Sequence, residues 1–140
     1  MQQSPEILME MCRKLVAMRK IVGDTLGYNF CANPICDMLF ELYTAEREER
    51  SVYLWSLCMF AHVPLSTALR KVKAMERQGL IIRETAHRNR RRVRVRLTAE
   101  GNDAVEKLLD QLVGIDRTDS VGADPTSILV EFARREARHC

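Results

Sequence analysis

Eleven basic side chains lie between His62 and Arg96: Arg70, Lys71, Lys73, Arg77, Arg83, Arg88, Arg90, Arg91, Arg92, Arg94 and Arg96. Only Glu76 and Glu84 oppose them, so the window carries a net +9 in a 140-residue chain whose total is +3. The remainder is therefore acidic, at −6. Nine of the eleven are arginine, whose planar guanidinium matches phosphate oxygens and does not deprotonate. The chemistry open to such a stretch is anion binding, with nucleic acid as the natural partner.

Two kinds of element must present these charges. Leu65, Ala68, Val72 and Met75 recur at helical spacing after the Val63-Pro64 break and before Gly79, which stops a helix. Ser66, Thr67, Arg70 and Lys71 are its outward positions near the start. Then the period drops to two: Leu80 to Arg83 forms one strand, and Val93, Val95 and Leu97 alternate with Arg94 and Arg96 in a second. Ala86 to Arg92 is left for the hairpin tip.

Helices flank this unit. Ser4-Pro5-Glu6 opens the first, with Ser able to cap. Its seam is Leu8, Met11, Leu15, Met18 and Val22, at steps of 3, 4, 3 and 4, and it ends near Gly27. Asn33-Pro34 opens a second helix with Ile35, Met38, Leu39 and Leu42 inward, closed by the charge run from Glu46 to Arg50. Ser51 to His62 reads as a third, its inward face Leu54, Leu57, Cys58 and Ala61. The opposite face of that helix, Tyr53, Trp55, Met59 and Phe60, is unusually apolar, and either further core or a ligand pocket is expected to cover it. Thr98-Ala99-Glu100 caps another helix with Val105, Leu108, Leu109 and Leu112 inward. Gly114 to Gly122 reads as a polar loop, and Asp124-Pro125 starts a last helix carrying Ile128, Leu129, Phe132 and Ala133.

Other chemistries find little support. No nucleophile with a base, paired carboxylates at helical spacing or phosphate-cradling glycine loop is present, so no enzymatic activity is expected. The five cysteines, at 12, 31, 36, 58 and 140, are odd in number without a CxxC pair, and His62, His87 and His139 are scattered. No metal or cofactor is expected, and the thiols read as reduced and idle. The longest apolar run, Leu57 to Ala61, is far short of the ~20 residues a membrane span needs, and the N-terminus is acidic and amphipathic. A cytoplasmic location is expected.

A helix, a short turn, a second helix with a basic outward start and a cationic hairpin follow the order of a winged helix-turn-helix. The major groove admits the second helix, and Arg at the wing suits the minor groove or its phosphates. Ser66-Thr67-Ala68-Leu69-Arg70, Met75-Glu76-Arg77-Gln78-Gly79-Leu80, Asn89-Arg90-Arg91 and Leu97-Thr98-Ala99-Glu100-Gly101 together resemble the MarR family of bacterial transcription regulators. Asn89 stands where the family has a wing Asp, and His62 where it has a turn Gly.

The resemblance implies a mainly α fold with a small β-hairpin wing. Residues 31–102 would form the winged helix-turn-helix, and 1–30 and 103–140 the dimerisation helices. It implies a homodimeric, sequence-specific regulator, expected to be a repressor, bound to a pseudo-palindromic operator. Ser66, Thr67 and Arg70 would face the major groove, Lys71 and Lys73 the phosphates, and Arg90 and Arg91 would serve the wing, with Arg92 beside them. A small aromatic effector would release the DNA from a crevice for which Tyr53, Trp55 and Met59 are the candidates. The competing reading is a winged-helix protein-interaction or architectural module without ligand response.

Overall fold

Pro5 can open a helix because the N–H it lacks would have found no intrahelical partner there, and α1 spans Pro5–Leu26. The Ser4 carbonyl accepts from Leu8 N–H at 3.1 Å, but its hydroxyl makes no cap, contrary to expectation. Helix α2, Pro34–Arg47, begins where Asn33-Pro34 was expected to open it, and the Asn33 side chain caps it by accepting from Cys36 N–H at 3.3 Å. The computed structural model describes residues 3–28, 33–86, 89–118 and 134. The expected last helix over Ile128 to Ala133 and the hairpin tip at His87 and Arg88 lie outside them.

Strand β1, Val52–Tyr53, takes the place of the helical start expected at Ser51; α3 begins only at Leu54 and ends at Phe60. Two β-prone residues add to the open edge of a neighbouring strand, a long-range pairing that helical periodicity does not register. After α4, Leu65–Arg77, come β2, Ile81–Ala86, and β3, Asn89–Leu97. The antiparallel sheet has the order β1-β3-β2, with Val52 opposite Val95 and Ile81 opposite Leu97. The wing strands run further than expected, so Arg90, Arg91 and Arg92 belong to β3 and not to the tip. Helix α5, Ala99–Thr118, likewise continues through Gly114, where a loop was expected.

One core joins the elements. Met38, Tyr43, Leu57, Cys58, Ala68, Val72, Met75, Ile81, Val95, Val105 and Leu109 are all buried in it. Full burial of a Leu or Val side chain stabilises by about 1.5–3 kcal/mol. Leu8, Met11 and Leu15 are also buried there, α1 packing against α2 and α5 of the same chain. The α1 seam, expected to need a partner chain, is thus largely covered internally. Ile21 and Leu26, at 65% and 64% exposure, are what α1 leaves uncovered. Leu65, placed inward by its spacing, is instead 42% exposed.

Two junctions fix the winged unit. Gly79, at φ +76°, closes α4 in a left-handed turn, with Gly79 N–H donating to Glu76 O and Leu80 N–H to Met75 O, the paired bonds of a Schellman end. Thr98 then ties α5 to that turn: its hydroxyl donates to the Gly79 carbonyl and accepts from Gly101 N–H at 2.9 Å. Thr98→Ala removes both bonds. A loss of about 1–2 kcal/mol, as for other N-caps, is expected in chemical denaturation.

Candidate nucleic-acid interface

Burial of Ala68, Val72 and Met75 fixes the rotation of α4 about its axis. The opposite face is then determined: Ser66, Arg70 and Lys73 are exposed in one row at steps of four and three, with Thr67 and Lys71 half-buried beside it. The row continues to Arg77, also exposed, a residue not among the expected DNA contacts although the same spacing predicts it. Among the described residues, none of Arg70, Lys71, Lys73 and Arg77 is held in an ion pair.

The two acidic residues of the basic window are engaged elsewhere. Glu76 takes Arg83 in a bidentate pair at 2.8 and 2.9 Å, and Glu84 takes Arg96 at 3.4 Å. The Arg83 hydrogen bonds hold the Glu76 carboxyl below its usual range, so this tie from α4 to β2 is present above the carboxylate pKa and is lost on acidification. As an exposed pair it is worth little to stability. Its electrostatic result is larger: Arg83 and Arg96 are neutralised within the fold, and the row on α4 keeps its charge.

On β3, Arg92 is exposed and its guanidinium lies 5.2 Å from the Tyr53 ring centre. Arg94 is half-buried, its Nε sealed without a partner among the described residues. The backbones of Arg90 and Arg91 continue the same strand; their side chains lie outside what is described. The residues expected to contact DNA from α4 and from the wing thus occur on adjoining elements, α4 passing through Gly79 into β2 and β2 pairing with β3.

The apolar face of α3 is less covered than expected. Trp55 is 64% and Met59 58% exposed, so neither joins the core, while Tyr53 is half-buried beneath Arg92. Of that face only Phe60 reaches a crevice of about 200 Å³, lined also by Val16, Arg19, Tyr28, Asp37 and His62. These residues come from α1, its exit, α2 and the turn between α3 and α4, positions too far apart in sequence to be read as one site. Arg19 donates to both Asp37 carboxylate oxygens at 3.1 and 3.4 Å. Burial nevertheless raises the Asp37 pKa, Arg19 opposing it.

His62 stacks on Tyr28 with ring centres 4.0 Å apart and planes 16° from parallel. It also sits at φ +54° in the turn of the helix-turn-helix, where the motif pattern has a glycine. That backbone conformation costs roughly 1–3 kcal/mol for a non-glycine residue, and the stack recovers about 1 kcal/mol. Among the described residues no cluster of His, Cys, Asp or Glu could hold a metal, and no helix is long and apolar enough to cross a membrane. Burial pushes the Cys12 and Cys58 thiols up, away from the reactive thiolate.

Residues 38–101 match the family model of the winged helix DNA-binding domain. No curated protein matches the sequence. Among solved structures, the chain is similar to MepR, a transcription regulator of the Staphylococcus aureus multidrug efflux pump MepA, at a TM-score of 0.56 and 17% identity over 97% of this chain and 96% of that one. The S. aureus MepR–DNA complex gives 0.56 and 21% over 86% and 96%. The transcriptional regulator SlyA gives 0.51 and 17% over 93% and 88%. These neighbours are MarR-family regulators, and at such identities the likeness is one of fold: mainly helical with a small β-hairpin wing, as the motifs implied, to which β1 adds a third strand that they did not.

Proposed function

We propose that this winged-helix chain is a sequence-specific DNA-binding transcriptional regulator that acts as a homodimer on a pseudo-palindromic operator, as a repressor. The observation that carries the reading is the row Ser66, Arg70, Lys73 and Arg77 on α4: exposed, outside any described ion pair, and backed by a buried apolar stripe. One α-helix fits the major groove. Ser66, Thr67 and Arg70 read base edges, Lys71 and Lys73 grip phosphates, and Arg90, Arg91 and Arg92 hold the DNA from the wing. Residues 31–102 do this work, while 1–30 and 103–140 join two copies; the exposed Ile21 and Leu26 on α1 favour such a contact.

A small aromatic acid is the proposed effector. The crevice beneath Phe60 and His62 suits it better than the Tyr53, Trp55 and Met59 face, because it offers ring surfaces beside the cationic Lys20, Arg19 being paired with Asp37. The exposed Trp55 and Met59 favour the competing reading, a module that docks another protein.

Selection of bound sequences from a random duplex pool separates the two. The regulator reading predicts an inverted repeat with half-site centres about 10–10.5 base pairs apart, or a multiple of that. A pool that yields no enriched repeat would overturn it.

A further inference from the structure

Gly23 is buried in α1, and a Cβ placed on it would run into the Tyr28 ring. Only a residue without a side chain lets Tyr28 fold back across the end of its own helix. There the Tyr28 hydroxyl donates to Asp24 at 2.8 Å, and the face of the ring meets His62. His62 is the left-handed residue of the turn joining α3 to α4, two positions before Pro64. The angle between those two helices is set within this turn, and its one strained residue is held by a ring anchored on α1. Phe60 and the Arg19–Asp37 pair border the contact from α3, α1 and α2.

We infer that Gly23, Tyr28 and His62 form a clasp that positions the recognition helix relative to α1, with Tyr28 as a positioning residue for DNA binding. The inference rests on the DNA-binding, homodimeric reading above. If α1 helps join the two copies, the clasp sets how far apart the two recognition helices stand. Its signature is therefore a preference among half-site spacings, and fold stability is not the quantity it governs. None of the three residues belongs to the exposed row on α4 or to the wing.

The test uses the full chain, operators recovered by selection and re-spaced one base pair at a time, and thermal melting of each variant. Gly23→Ala, which displaces the ring, and Tyr28→Ala, which deletes it, are each expected to weaken the best-spaced operator roughly tenfold, a usual size for coupling between sites. Both should flatten the preference for one spacing. Tyr28→Phe keeps the stack on His62 but loses the bond to Asp24, and is expected to fall between the parent and Tyr28→Ala in both affinity and spacing preference. The double variant Gly23→Ala/Tyr28→Ala is expected to lose no more affinity than Tyr28→Ala alone, since the ring that Cβ would strike is gone. It should also melt higher, because Ala favours helix over Gly.

Parental affinity and spacing preference in Tyr28→Ala, additive losses in the double variant, or a change in melting temperature alone would each overturn the clasp. A parent chain that binds no duplex would overturn the functional reading, and the clasp with it; a parent that binds while its variants are indifferent would overturn the clasp only.

Discussion

Arg70→Ala is expected to weaken binding to the selected operator by about tenfold to a hundredfold, while binding to unrelated duplex changes little. The Arg90→Ala/Arg91→Ala variant should instead bind every sequence more weakly and reduce the salt slope by about two, near 0.9 for each phosphate that the wing no longer neutralises. The contrast follows from position. Arg70 stands on the exposed row of α4, held in rotation by buried Ala68 and Val72 beneath it. A bidentate arginine–guanine pair there discriminates by about 1–3 kcal/mol. Arg90 and Arg91 belong to β3 close to the hairpin end, where the DNA backbone and narrow groove offer charge more than sequence. Equilibrium titration of both variants on both duplexes checks the pair. Equal losses by Arg70→Ala on operator and unrelated DNA would remove α4 from base reading.

Gly101→Ala is expected to cost about 3 kcal/mol, the upper range for overpacking a tight contact, and to lower the melting temperature by roughly 10 °C. A Cβ at this position would overlap the Leu80 carbonyl, and that backbone cannot yield cheaply. Leu80 O already accepts from Thr98 N–H at 3.0 Å, and Leu80 N–H is committed to Met75 O. Gly114 supplies the opposite sign on the same helix. Among the described residues nothing lies within 4 Å of a Cβ built there, so Gly114→Ala should stabilise by up to about 1 kcal/mol through helix propensity. Thermal melts of the two variants probe the α4–α5 junction, which holds α4 against the rest of the fold.

Much of this architecture was legible in the sequence because its punctuation is local. Pro5, the Asn33-Pro34 pair and Gly79 mark helix ends by backbone chemistry that needs no partner, and the switch from helical to alternating spacing after Gly79 marks the wing. The failures share a cause in long-range contacts. Val52 and Tyr53 are strand only because β3 offers an edge. Gly114 does not stop α5, which continues to Asp116, bound to Lys14 of α1 at 3.1 Å.

The candidate site divides the same way. The row on α4 was readable from one periodicity, so Arg77 could have been added to it. The crevice assembles Arg19, Tyr28, Asp37 and His62 from four segments, and no spacing rule joins them. Gly23 carried no local signal, since its reason is a ring five residues on. Pairing Glu76 with Arg83 and Glu84 with Arg96 also required the sheet register, and without it the net charge of the window could not be divided into neutralised and available cations.

On the proposed function the available cations face phosphate, and the dependence of duplex affinity on salt measures this most directly. Titrating the full chain against labelled operator between about 50 and 200 mM salt should give a log–log slope steeper than about −3, because Lys71, Lys73, Arg90 and Arg91 each displace a counterion. Affinity that stays level across that range would contradict the proposal.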